Sequence, residues 1–244
     1  MILIDDLTCG ALPPQTFSHE ALTRPLALLD LPALLELEAE KWTAEQAASD
    51  DDLAARITDP REIALGAFCA RSGRLLASLF LRPVADDFHR HAATWRDCTR
   101  LATPGRSRTL FGVSLSSRDK RGVDALWRDF WPVALRQGWR HIYLGSPVPG
   151  LRAWLHRHPA GRPEDYVFDR AGGLPRDPQL RYYHRRGFRD IVALKPGYFP
   201  HAGSLDHGVL LRATVPLSSL APLWRALPEA AVRSATRRLA SSLA

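Results

Sequence analysis

A mixed, largely antiparallel sheet flanked by helices is the fold the sequence predicts, and its segment pattern carries the prediction. Segments follow in the order β-α-α-β-β-β-α-β-α-β-β. Two early strands are linked by Arg71-Ser72-Gly73-Arg74, a polar link with glycine that suits an antiparallel hairpin. In the middle, a β-rich run passes through one glycine-bearing loop directly into a helix. A doubly wound sheet or a closed parallel barrel would alternate strand and helix throughout. With 244 residues, 45% hydrophobic and 24% charged, the composition is that of a soluble globular chain with material for a sizeable core.

Residues 1–22 show little periodicity and contain Pro13-Pro14, so they read as an extension ahead of a domain at 23–216. Leu26 to Leu29 reads as a short strand. Asp30 then stands at the N-cap position and Pro32 early in a helix continued by Leu34, Leu35 and Leu37 to Trp42. A second helix, 51–59, carries its acidic residues at the N-terminal end, as the helix dipole prefers. Strands are expected at Ile63 to Ala70 and Leu75 to Val84.

Residues 85–108 read as a loop or short helix holding His89, His91, Trp95 and Cys98. No third ligand stands at a plausible spacing from the two histidines, so no metal site is expected. Thr109 to Leu115 is a strand, and a helix runs from about Gly122 to Gln137, closing at Gly138. Pro132 inside it is expected to kink or split the helix. His141 to Gly145 has a buried-strand pattern, and "SPVPG" fits no regular element. "LRAWLHRH" is a short amphipathic helix, 159–178 reads as irregular, and "QLRYYHRRGF" is helical as far as Gly187. Strands follow at Arg189 to Leu194 and His207 to Thr214, and a basic helical tail at 217–244.

A formal net charge of +7 favours a polyanionic companion: nucleic acid, a phosphorylated cofactor or an acidic protein. No helix-turn-helix or zinc module is present and aromatics are not interleaved with basic residues, so nucleic acid is not expected. Cys9, Cys69 and Cys98 form no CxxC pair and read as reduced thiols. No apolar run approaches ~20 residues, and "MILIDDLTCG" meets acid early, so neither a spanning helix nor a signal peptide is expected. A cytoplasmic location is the expectation.

Chemistry concentrates at "SSRDKRGVDALWRDFW", residues 116–131. Arg118, Lys120, Arg121 and Gly122 fall at the N-terminus of the central helix, where unpaired N–H groups and the dipole favour an anion. A solvated basic turn is the alternative.

The order of elements, with this stretch at its centre, resembles the GNAT superfamily of acyl-CoA-dependent acyltransferases over roughly residues 24–215. The resemblance implies a sheet splayed between strands four and five and an acyl-CoA substrate, acetyl-CoA or another. It also implies a diphosphate-binding loop of pattern (Gln/Arg)-x-x-Gly-x-(Gly/Ala). Arg118 takes its first position, with Gly122 flanked by Arg121 and Val123 where small residues are usual. Strand four would hold the pantetheine at Val113 and Leu115. "YLGSPVPGL", "EDYVF", "RDPQLRYYHRRGF", "GYFP" and "LDHGVLL" resemble, in that order, GNAT modules fused to nitrilase-like hydrolases. GNAT-like loading and decarboxylating domains of polyketide synthases share part of this arrangement.

The resemblance places a general-acid tyrosine four residues before the glycine of the Gly-Phe turn, at Tyr183. Its neighbour His184 competes for the role, since adjacent helical residues point about 100° apart. His184 with Ser146 as partner would correspond to the decarboxylating relatives. No carboxylate stands out as a base. The implied function is acyl transfer to a small-molecule amine or an acidic acyl carrier protein, with malonyl-CoA decarboxylation, carrier-protein loading, or a silent CoA-thioester-binding module as alternatives.

Overall fold

The computed structural model describes residues 21–243, so the expected extension lies outside the described residues except at Ala21 and Leu22. In chain order the elements are β1 (Ala21–Pro25), α1 (Leu31–Lys41), α2 (Asp50–Thr58), β2 (Ile63–Cys69) and β3 (Leu75–Val84). Next come α3 (Trp95–Arg100), β4 (Thr109–Ser117), α4 (Lys120–Gln137), β5 (His141–Pro147), α5 (Leu151–Arg157) and α6 (Pro163–Val167). A small hairpin, β6 (Arg170–Ala171) and β7 (Leu174–Pro175), leads to α7 (Pro178–Arg185), β8 (Asp190–Lys195), β9 (Gly208–Thr214), α8 (Ala221–Ala226) and α9 (Glu229–Leu243). The main sheet has the order β1-β2-β3-β4-β5-β9-β8, with β4 and β5 parallel and β1–β2, β5–β9 and β8–β9 antiparallel. This is the mixed, mostly antiparallel sheet expected.

The chain divides into two compact units. The amino-terminal unit comprises residues 21–80 with Ser114–Trp127, and the carboxy-terminal unit Leu81–Val113 with the residues from Arg128 onward.

In the amino-terminal unit the first strand lies at Ala21–Pro25, earlier than expected, with Ala21 opposite Cys69 and Pro25 opposite Leu65. Asp30 explains the shift. Its carboxylate receives the Arg24 guanidinium at 2.7 Å on each oxygen and the Ala27 N–H at 2.9 Å. These bonds fold Leu28–Asp30 into a 3-10 turn, and α1 starts behind it with Pro32 in its first turn. Ser49 and Asp52 form a capping box that starts α2 beneath three acidic residues, as the dipole requires.

The start of α4 lies close on β3. A Cβ added at Gly122 would stand 2.9 Å from Leu76 Cβ and 3.0 Å from Ala77 Cβ. Glycine is therefore required there for helix-on-strand contact. Gly122→Ala, which in an open helix would gain roughly 1 kcal/mol, is expected instead to lose ~1–3 kcal/mol through overpacking. Urea unfolding of both proteins checks the sign.

In the carboxy-terminal unit, β5 runs antiparallel to β9 from His141–Thr214 to Pro147–Gly208, over a core that includes Phe111, Phe130 and Val209. Helix α4 is not split at Pro132: Phe130 and Ala134, on either side, are both fully buried. Burial of that face outweighs the lost backbone bond. Gly138, at φ +80°, ends the helix as expected. The stretch expected to be irregular contains α6, with Pro163 in its first turn and an Arg162–Asp165 bond at its cap, and the β6–β7 hairpin, turned by Gly172 and Gly173 at positive φ. Those short-range signals are local, but five- and two-residue elements persist only against a folded partner.

Candidate functional site

The anion-binding loop belongs to the amino-terminal unit. Burial of all of β4 but its last residue defines a central strand covered on both faces. Beyond Ser117 the chain turns through Arg118 and Asp119 into α4. Ser117 Oγ donates to the Asp119 carbonyl at 3.0 Å, and the Arg121 N–H donates to Asp119 Oδ1 at 2.8 Å. Asp119 therefore caps α4, and its carboxylate occupies the positive end of the helix.

The structure brings Arg118, Lys120, Arg121, Gly122 and Val123 onto this one turn but pairs each cation. The Arg118 side chain, 7% exposed, holds Glu36 and Glu40 of α1. Lys120 binds Asp124 at 2.8 Å, and Arg121 clamps Asp119, whose carboxyl is held below its usual range chiefly by that guanidinium. Gly122 and Val123 are buried.

Leu115 is buried in this unit as well. On the other face of β4, at Ser116, lies a carboxylate that sequence reasoning missed. Glu38, 3% exposed, accepts from Ser116 Oγ at 2.6 Å and from the Ala48 N–H at 3.2 Å. Ser116 in turn accepts from Trp42 Nε1 at 2.7 Å. In "LELEAEK" Glu38 is one acidic residue of several, and only its place toward β4 sets it apart from Glu36 and Glu40.

In the carboxy-terminal unit Val113 O accepts from Trp95 Nε1 at 3.0 Å. The parallel ladder runs from Thr109–His141 to Gly112–Leu144 and stops there, although β4 continues to Ser117 and β5 to Pro147.

The segments "SPVPG", "EDYV" and "RDP" converge on Asp177, which is fully buried. It accepts from the Gly150 N–H at 3.1 Å, Tyr166 Oη at 2.9 Å, and the Gln179 and Leu180 N–H groups at 2.8 and 3.3 Å. Burial raises its pKa and these donors oppose the rise. A Cβ on Gly150 would lie 2.1 Å from Tyr166 Oη, so this glycine admits the phenol. "GYFP" and "LDHG" form a second knot: Tyr198 N–H donates to Asp206 O at 2.8 Å, and the Val148 N–H donates to Ser204 Oγ at 2.8 Å. Tyr198 lies against Gly145 and Gly208, with its hydroxyl 3.8 Å from Cys98 Sγ. Burial pushes the Cys98 thiol up to about 11. His89 stacks on Tyr143, and His91 pairs with Asp87.

Asp177 also caps α7, which carries Tyr183 and His184. Tyr183 is 2% exposed. Its hydroxyl accepts from Gln179 Nε2 at 3.1 Å, its ring meets Tyr182 and Phe188 edge-on, and burial holds its pKa well above the ordinary phenol value. His184 is less enclosed, and burial together with Arg170 and Arg189 lowers its pKa. Ser146, fully buried on β5, donates to the Pro147 carbonyl at 2.9 Å rather than to His184.

No family model matches the chain, and no curated protein does. Solved structures do. The GNAT-like decarboxylase GphF, in complex with isobutyryl-CoA, is 25% identical, with a TM-score of 0.64 over 80% of this chain and 99% of that one. The loading GNATL domain of CurA from Lyngbya majuscula has a TM-score of 0.65 at 16% identity, covering 80% of this chain and 98% of that one. An aminoglycoside 6'-N-acetyltransferase complexed with coenzyme A has a TM-score of 0.51 at 14% identity, covering 80% and 97%. A seven-stranded mixed sheet whose one parallel pair stops short of a strand-loop-helix turn defines the class: this is a GNAT-fold protein. Within that superfamily its structural neighbours include acyltransferases, a decarboxylase and a polyketide loading domain. None of the helices among the described residues is long and apolar enough to cross a membrane.

Proposed function

We propose that the protein is an acyl-CoA-dependent enzyme that moves a short acyl group, acetyl foremost, from coenzyme A to an amine or a carrier thiol. The observation that carries this reading is the end of the β4–β5 ladder at Gly112–Leu144. Past that point β4 continues beyond its ladder with β5, and an extended amide-bearing arm such as pantetheine would lie along Leu115 there, beside Val113, whose carbonyl already accepts from Trp95 Nε1. The turn at Arg118 to Val123 takes the diphosphate, with Lys120 and Arg121 leaving their carboxylate partners for phosphate oxygens.

In the chemical step the acceptor's lone pair adds to the thioester carbonyl, the C–S bond breaks with its electron pair going to sulfur, Tyr183 protonates the departing thiolate, and the proton lost by the acceptor passes through water to the resulting tyrosinate. The phenol carries its proton at neutral pH, and the thiolate that forms as the C–S bond breaks draws on it.

The 25% identity to a GNAT-like decarboxylase favours a second reading, loss of CO2 from a malonyl thioester with protonation of the enolate by His184. The lowered pKa of His184 keeps its ring neutral near pH 7, which weakens it as a proton donor.

Following free thiol from acetyl-CoA with and without spermidine or a phosphopantetheinylated carrier protein, and CO2 from malonyl-CoA, tests the reading. Thiol release that depends on an acceptor supports transfer; CO2 evolution without an acceptor overturns it in favour of the second. The diphosphate assignment has its own check. Asp119→Asn removes a competing negative charge from the helix end and is expected to tighten CoA binding roughly two- to fivefold, the equivalent of 0.3–1 kcal/mol at a helix terminus. Unchanged or weaker binding in a calorimetric titration would move the phosphates elsewhere.

A further inference from the structure

Beneath α1 and α2 the amino-terminal unit holds buried hydroxyls that its own hydrogen bonding does not use. Ser78 Oγ and Ser114 Oγ are buried, the residues 0% and 4% exposed, and neither has a hydrogen-bond partner among the described residues. Ser114 shares a face of β4 with Ser116, two residues on, and that face meets Glu38 and Trp42 of the α1 segment. Ser78 lies on the same side. Arg118 N–H donates to Leu76 O at 2.8 Å, and counting back along each antiparallel strand sets Ser78 across from Ser116. Phe80, two residues from Ser78, lies under the Arg56 guanidinium of α2.

Orphaned buried hydroxyls cost stability, and a polar ligand would satisfy them. The ligand's charge is set by Glu38. Trp42 Nε1–H donates to Ser116 Oγ, so the serine's proton goes to Glu38 Oε1, while the Ala48 N–H occupies Oε2. Both oxygens act as acceptors, and the cations Arg118 and Lys41 are directed to Glu36 and Glu40 instead. The row thus presents hydroxyl groups backed by a buried carboxyl group.

We propose that this row receives the acyl end of the thioester and that Glu38 excludes acyl groups bearing a carboxylate, making the substrate class neutral short-chain acyl-CoA rather than malonyl-type. The assignment rests on the reading of β4 as the strand that binds the thioester arm. Ser78 and Ser114 hydrogen-bond the neutral acyl carbonyl, whereas a malonyl carboxylate would be brought against Glu38 in a poorly screened site.

Calorimetric titration of the full chain with acetyl-CoA and with malonyl-CoA tests this. Acetyl-CoA is expected to bind at least ~10-fold tighter, a gap that one like-charge contact in a partly buried site readily supplies. Glu38→Gln is expected to close the gap to within about threefold by improving malonyl-CoA alone. Ser114→Ala is a second variant that does not disturb Glu38. It is expected to unfold no earlier than the parent, since it deletes an unsatisfied hydroxyl, yet to bind acetyl-CoA several-fold more weakly.

Equal or tighter malonyl-CoA binding by the parent overturns the proposal while leaving CoA binding intact. So does a preference that Glu38→Gln leaves in place, or a Ser114→Ala affinity equal to the parent's. If neither thioester binds, the reading of β4 fails first and the proposal with it.

Discussion

Asp177→Ala is expected to lower the free energy of unfolding by ~3–5 kcal/mol, the sum of a lost helix cap and of buried donors left without an acceptor. The carboxylate joins three segments that are separate in sequence: Gly150 after β5, Tyr166 in α6, and the first turn of α7. Truncation strands the Tyr166 hydroxyl and the Gly150 N–H in an interior that Gly150 has no side chain to fill. Asp177→Asn keeps an oxygen for the α7 cap but turns an NH2 group toward two donors, so its loss is expected to be about half as large. Urea denaturation of the three proteins measures the order. A loss below ~1 kcal/mol for Asp177→Ala would mean that water replaces the carboxylate and that the knot is not what positions α7.

On the proposed transfer reading, Tyr183→Phe is expected to slow release of free thiol from acetyl-CoA by ~10²–10⁴, the usual contribution of a positioned acid, while acetyl-CoA affinity stays within about twofold. The variant deletes only the hydroxyl from a ring that is 2% exposed. It leaves Gln179 Nε2 without that acceptor, so a stability loss of about 1–2 kcal/mol is expected alongside and is separated from the rate effect by thermal unfolding. His184→Ala is the comparison. Its ring is less enclosed and has its pKa lowered by burial and two arginines, so its removal is expected to change the rate far less. A Tyr183→Phe enzyme of full activity beside an inactive His184→Ala enzyme would transfer the proton role to His184 and bring the decarboxylating reading forward.

Most elements were legible because their signals act between near neighbours. The Ser49–Asp52 box starts α2, Gly138 and Gly187 close α4 and α7 at positive φ, and Arg71 to Arg74 turns the β2–β3 hairpin. The strand expected at Leu26 moved to Ala21–Pro25 because Arg24 and Asp30 close on each other, and nothing in the local apolar pattern records that contact. The candidate site was legible only as a list of residues. Arg118, Lys120 and Arg121 were visible as positive charge, but the Arg118 ion pair with Glu40 joins positions 78 apart in the chain. Gly122 was read as part of an anion-binding helix start, and its missing side chain makes room for β3.

By itself the sequence determined the order of helices and strands, the glycine turns, and the composition of the loop ahead of α4, because caps, turn conformations and periodic burial are interactions within a few residues. Tertiary structure alone decided which charges are neutralised, that Asp177 binds three segments together, and that Glu38 lies buried among serines while Glu36 and Glu40 hold Arg118. Those outcomes depend on which residues meet across the fold, where removal from water turns an ordinary carboxylate or hydroxyl into one that must find a partner.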